Sequence, residues 1–174
     1  MKIKILIDKD FLKFGITKLL EEDHEVHYAK NFREVKKSEY LVTDKFIDRD
    51  RTVIIYSSTE EALFSSAKIK ITEDSTAFEF LEAIEALKDG QSYSAKEIKK
   101  SEEKVLKSKE YLQNLNARQK FLISEIISGS TNSEIAKKLY LSEGTVKNNL
   151  TDLYRKIDVK SRMELIKICK LVLT

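Results

Sequence analysis

The sequence predicts two folds in one chain, an α/β domain with a parallel sheet and then a small all-α domain. Over residues 1 to 93 short apolar runs alternate with helical patterns, an order that places helices on the faces of a parallel sheet. From residue 114 only helical periodicity is left, and two of its helices meet across a turn too short for anything but a tight crossing. Charge divides the same way: residues 1–93 hold 15 Lys and Arg against 19 Asp and Glu, whereas residues 94–174 hold 17 against 10. A chain of 174 residues with 41% hydrophobic content has enough apolar material for two small cores. The expected organisation is a domain at 1–93, a helical linker at 94–113 and a second domain at 114–174.

Lys2 to Ile7 is an Ile-rich run of the kind that forms a buried strand, ended by Asp8. Phe11, Phe14, Ile16, Leu19 and Leu20 give the helix that follows its apolar side. Glu25 to Tyr28 reads as a second strand, Asn31 to Lys37 as a brief helix, Tyr40 to Asp44 as a third strand, Thr52 to Tyr56 as a fourth and Lys68 to Thr72 as a fifth. A short helix lies between the last two strands, and a longer one covers Thr76 to Lys88. Only Lys45 to Arg51 separates strands three and four, too little for the dozen or more residues of a usual parallel crossover. A loop or single turn is expected there, leaving one face of the sheet thinly covered and open to a partner. Ser94 to Asn114 is dense in Lys and Glu and reads as a solvated helix.

The C-terminal helices have clear start signals. Thr131 with Glu134 makes a capping box, and Ile135, Ala136 and Leu139 share one face of the helix it opens. Ser142 is the N-cap of the next helix, whose apolar residues recur at Val146, Leu150, Leu153 and Ile157. At about 100° per residue, the opposite face carries Gly144, Asn148, Thr151, Asp152 and Arg155, with Thr145 and Lys147 on its shoulders. Such a face suits the major groove of DNA, where Asn reads adenine, Lys reaches guanine and a Thr methyl touches thymine. The last helix, Arg162 to Val172, repeats Leu165, Ile168, Cys169 and Val172, a stripe that reads as surplus to a small core.

The run GSTNSEIAKKLYLSEGTVKNNLTDLYRKIDVKSR at residues 129–162 resembles the LuxR-type helix-turn-helix of NarL/FixJ response regulators. A glycine, an S/T-N-x-E-I-A run, an L-x-x-S-x-x-T-V-K run and a closing K-[LI]-x-V-x-[ST]-R follow in the family's order, with Leu139 matching the leucine of the third run. Leu115, Arg118 and Gln119 to Ile127 match the opening helix, with Asn116 and Gln119 where threonine and glutamate are usual. The resemblance implies double-stranded DNA as partner and a homodimer whose recognition helices enter adjacent grooves, the last helix supplying a dimer contact. Lys147, Asn148 and Thr151 would read bases, while Thr131, Asn132, Ser142, Thr145, Arg155 and Lys156 would anchor phosphates.

Residues 1–93 resemble the receiver domain of the same regulators, a flavodoxin-like fold, through Gly15, the Ser57 and Ser58 pair and LEAIEALKDGQSY at 81–93. In that fold the functional groups gather at the topological switch point, where a metal, an aspartate, a lysine and a hydroxyl act together. Here the acidic pair falls on Ile7 and Asp8, with Asp10 displaced. Asp44 matches the phosphoacceptor, Ser57 the hydroxyl, and Glu73 stands where the family has lysine, unless a small gap brings Lys70 nearer. The expectation is a degenerate receiver with a remnant acid pocket of Asp8, Asp10 and Ser57, serving dimerisation or partner sensing. The alternative is a conventional regulator with Asp44 as acceptor, Mg2+ in the pocket and a cognate histidine kinase; a third reading is an adaptor that binds only proteins.

Cys169 alone excludes an intramolecular disulfide and a multi-Cys metal site, and points to a reducing, cytoplasmic compartment. No run reaches the length of a membrane span and none has the form of a signal peptide. No nucleophile–base arrangement, phosphate loop or metal cluster marks an enzyme, and no cofactor is expected apart from Mg2+ in the alternative.

Overall fold

A computed structural model describes residues 1–173, apart from the side chain of Leu173. The first apolar run forms β1 (Lys2–Leu6), followed by α1 (Asp10–Leu20) and β2 (Glu25–Tyr28). β3 (Tyr40–Thr43), β4 (Thr52–Tyr56), α2 (Thr59–Leu63), β5 (Ile69–Thr72) and α3 (Ala77–Lys88) continue the alternation. With a sixth strand, β6 (Tyr93–Ser94), the sheet runs β2-β1-β3-β4-β5-β6, with every pair parallel. Central strands buried on both faces read as continuous apolar runs: every residue of β4 (TVIIY) and β5 is buried, whereas edge strand β2 has none.

The two sheet faces have different cover. Ile55 and Ile71, neighbours in register, line a groove together with Phe11 and Ile16 of α1 and Phe80 of α3, so both helices lie on that side. Ile54 and Lys70 point the other way, where the Lys70 ammonium donates to the carbonyls of Ala62 and Ser65 beside α2. On this second face residues 44–51 form no helix, in line with the short spacing. The loop is pinned by Arg49, which donates to the carbonyls of Lys36 and Glu39, and by Arg51, which donates to that of Ser38. Beneath it lies a cavity of about 610 Å³ flanked by Phe46 and Phe64, each 62% exposed.

Two elements differ from expectation. The brief helix at 31–37 is a single 3-10 turn at Phe32–Glu34, capped by Asn31. Tyr93–Ser94 adds a sixth strand, β6, beside β5.

The chain divides into two compact units, Met1–Ser101 and Glu102–Thr174, and α4 (Lys96–Gln113) contributes residues to both. Its apolar positions serve the cores: Ile98 is buried in the first, Leu112 in the second, and Val105 and Tyr111 pack against the second. The second unit also contains α5 (Ala117–Ile127), α6 (Asn132–Leu139), α7 (Glu143–Ile157) and α8 (Arg162–Leu173). Leu165, Ile168 and Cys169 of α8 are buried in this unit's own core, with Val172 packed against it. The stripe that reads as surplus in the sequence is therefore consumed by the domain, because α5 and α7 both pack on α8.

Candidate nucleic-acid interface

Local bonds fix where the recognition helix begins and which way it faces. Asn116 and Gln119 make both bonds of a capping box on α5, at 2.9 and 3.0 Å, so these departures from the family's wording keep its chemistry. On α6, the Glu134 amide donates to Thr131 Oγ1 (3.2 Å) and the Thr131 amide donates to Glu134 Oε2 (2.7 Å). The Thr131 amide, and after it the Thr131 hydroxyl donating to the same oxygen, hold the Glu134 carboxyl below its usual range. α6 stops at Tyr140, a left-handed residue (φ 55°), and Leu141 N–H closes back on the Ala136 carbonyl at 2.9 Å. One residue later Ser142 Oγ accepts from Thr145 N–H (3.1 Å) and starts α7.

Val146, Leu150, Leu153 and Ile157 are buried, which turns the other side of α7 outward. Gly144, Thr145, Lys147, Asn148, Thr151, Asp152, Arg155 and Lys156 are exposed there, as are Thr131 and Ser142, while Asn132 is half-buried. Not all of these side chains are free. Arg155 donates to Asp152 Oδ1 (2.9 Å), the Thr151 hydroxyl donates to the Lys147 carbonyl (2.9 Å), and Ser142 and Thr145 share a hydroxyl bond. The Lys156 ammonium lies 5.9 Å from the centroid of the Tyr111 ring. Lys147 and Asn148 have no such partner among the described residues. They are the side chains of this face that a base edge can engage without breaking an existing bond.

Three features are not evident from spacing. Tyr140, 96% exposed, stands at the turn before α7. Asn149 Nδ2 is buried on the inner edge of α7 with no partner. Arg162, the closing arginine of the motif, donates through Nη2 to the carbonyls of Ile126 (3.2 Å) and Ser130 (2.6 Å), tying the start of α8 to the end of α5.

In the first unit, the ends of β1, β3, β4 and β5 bring Asp8, Asp44, Ser57 and Glu73 to one edge of the sheet. Asp44 Oδ2 accepts from Asp8 N–H at 3.1 Å. Lys45 Nζ donates to Asp8 Oδ2, and Lys9 Nζ donates to both Glu73 oxygens at 2.5 and 2.6 Å. Ser57 Oγ donates to Glu61 Oε2 (2.7 Å), and the Asp10 side chain is 97% exposed, near Lys13. Glu73 raises the pKa of Lys9 and Asp8 that of Lys45, chiefly by accepting their hydrogen bonds. Lys70, the other candidate for the family's lysine, is buried and directed toward Ala62 and Ser65. One oxygen of Asp8 and both of Glu73 thus have lysine partners, one oxygen of Asp44 holds a backbone amide and Asp10 is turned out, so the residues present do not fit a magnesium site.

Residues 113–169 match the bacterial regulatory proteins of the luxR family. YhjB of Escherichia coli (strain K12), described as an HTH-type transcriptional regulator, is 30% identical over 105 residues, 60% of this chain and 51% of YhjB. The CsgBAC operon transcriptional regulatory protein of the same strain is 42% identical over 50 residues, 29% of this chain and 23% of that protein. The chain therefore matches about half, or less, of the length of these relatives. Among solved structures, two RcsB dimers bound to two parallel DNAs share the fold with TM-score 0.62 and 19% identity, over 99% of this chain and 98% of that one. RcsB of Salmonella enterica serovar Typhimurium, bound to promoter P1flhDC, follows with TM-score 0.59 and 17% identity at the same coverage. Residues 113–169 are thus a match to the luxR family of bacterial regulatory proteins, and the chain as a whole shares the fold of the RcsB structures.

Proposed function

We propose that the protein is a sequence-specific DNA-binding transcription regulator that acts as a homodimer, without phosphorylation of an aspartate. The observation that carries this reading is the exposed polar face of α7, with Lys147 and Asn148 unengaged, inside a luxR-family domain. Lys147, Asn148 and Thr151 read bases. Thr131, Asn132, Ser142, Thr145, Arg155 and Lys156 hold phosphates, which set the register of the protein on the duplex. The net positive charge of residues 94–174 supplies the attraction to the duplex and makes binding salt-dependent. Support for two copies comes from RcsB, whose dimers are seen on DNA, and from the two-fold symmetry that helix-turn-helix operators share with their proteins. Independence from phosphorylation is supported by Glu73, an acid where the family has a lysine, already bound to Lys9.

Genomic DNA fragments captured by the unphosphorylated protein at physiological salt, then sequenced, test the reading. A shared palindromic site is the expected outcome. Unchanged discrimination between that site and scrambled DNA after Lys147→Ala with Asn148→Ala would refute the assigned face. One observation favours a second reading: Asp44 Oδ1 is buried without a partner, as an acceptor kept free for a phosphoryl group would be. Under that reading a small phosphodonor with Mg2+ labels the protein, and Asp44→Asn abolishes the label.

A further inference from the structure

We propose that Lys45 and Lys9 are the resident cations of the pocket at the sheet edge, standing where a divalent metal would otherwise neutralise the acids, and that they close the pocket to such a metal. The proposal rests on reading the first unit as a receiver-like half. It does not depend on what α7 binds.

A hard divalent cation needs several oxygens converging without a competing positive charge, and magnesium gives up its water reluctantly. Neither condition is met. The Lys45 ammonium bonds directly to the Asp8 carboxylate, and Asp44 is the next acid to bear on the same ammonium. The Lys9 ammonium holds both oxygens of Glu73, and Asp44 and Glu61 act on it as well. Asp44 acts on both lysines, with one oxygen on the Asp8 amide and the other buried. A metal at this point must displace Lys45 from Asp8 or share a small volume with two ammonium groups. Two ammonium groups beside a divalent ion repel it even where, as here, water partly screens the charges.

The sequence shows what has been exchanged. Glu73 stands after β5 where the resemblance to receivers implies a lysine, and Lys9, after β1, pairs with it across the strand ends. A second lysine, residue 45, directly follows Asp44. Together the bonds Lys45 to Asp8, Asp8 N–H to Asp44, and Lys9 to Glu73 tie the ends of β1, β3 and β5 to one another. A set of loops fastened by the chain's own side chains keeps one arrangement and needs no ligand to reach it.

Manganese(II) serves as the probe, read by the loss of the free-ion paramagnetic resonance signal on titration into the full-length protein. Wild type is expected to show no saturable site up to the highest manganese concentration used, and Lys45→Gln is expected to show one whose affinity exceeds that limit by at least about tenfold, a difference within what one close charge contributes. Lys68→Gln removes the same charge at a distant ion pair with Asp50 and is expected to behave as wild type. Lys9→Gln gives an independent opening of the pocket should Lys45→Gln fail to fold, as judged by circular dichroism. Saturable binding by wild type that Asp44→Asn removes would overturn the proposal. So would lysine variants that bind no better than wild type, or a gain reproduced by Lys68→Gln. DNA capture is read separately, so loss of this proposal and loss of the DNA reading give different results.

Discussion

Arg162→Ala should loosen the second unit more than any other single change at its surface. The last carbonyls of a helix lack intrahelical partners and lie at the negative end of its dipole. Arg162 adds to the capping at the exit of α5, donating at 3.2 Å to Ile126, whose carbonyl also accepts from Gly129 N–H, and at 2.6 Å to Ser130 just beyond the helix, while α8 begins at the same residue. A hydrogen bond to a charged group contributes about 1.5–3 kcal/mol, and here one nitrogen serves two acceptors at a half-buried site that water reaches once the side chain is gone. A net loss of about 2–3 kcal/mol follows, equivalent to roughly thirty- to one-hundred-and-fiftyfold in the opening equilibrium. Amide hydrogen exchange read by mass spectrometry is the assay, with peptides from α5 and α8 compared against β4 and β5 as an internal reference. Exchange in α5 and α8 should accelerate by that factor while the reference peptides stay unchanged. Protection of α5 within about threefold of wild type would show that the arginine merely covers these carbonyls without fastening the helices.

Tyr140→Gly should stabilise the second unit by about 1 kcal/mol in thermal melts, because Tyr140 holds a left-handed conformation and is so exposed that little packing is lost. Acid should weaken the same unit. Lys138 and then Ser130 hold the Glu125 carboxyl below the usual carboxylate range, and Lys104 and then the Lys160 amide do so for Glu164. Folded values below the unfolded ones give stability that is complete above the unfolded pKa and is lost as pH falls through the folded values, so melting temperatures should drop below about pH 4.5. Lys138→Met should flatten that drop. Burial pushes the Cys169 thiol up to about 11, so alkylation of the native protein at neutral pH should be far slower than in denaturant; equal rates would place Cys169 outside the core.

How much of this was legible in the sequence depended on whether a feature rests on near neighbours. The caps at Thr131 and Ser142 and the stripe Val146, Leu150, Leu153, Ile157 are set within one or two helical turns, and the structure has them as the spacing predicts. The missing helix between β3 and β4 follows from chain length alone. β6 was not legible, since two residues carry no period and it exists only through its pairing with β5. Neither was the fate of the α8 stripe, because how much apolar surface a core absorbs depends on helices distant in sequence. In the first pocket, counting along the chain located Asp44 and the misplaced Glu73. The partners Lys9 and Lys45 could not be read that way, because Lys9 and Glu73 are brought together only by the order of the strands.

The short link between β3 and β4 also bears on the order in which the first unit folds. Val42 and Val53 are eleven positions apart and pair directly, whereas β1 meets β3 across a separation of thirty-seven. Closing the smaller loop costs less chain entropy, and early contacts tend to be those of low sequence separation. β3, β4 and β5 should therefore form the folding nucleus, with the β2 edge joining late. Val53→Ala should slow refolding, and Val26→Ala should mainly speed unfolding, in stopped-flow experiments. The reverse pattern would mean that the sheet condenses from β1 outward, and that the short link decides only which cavity is left open.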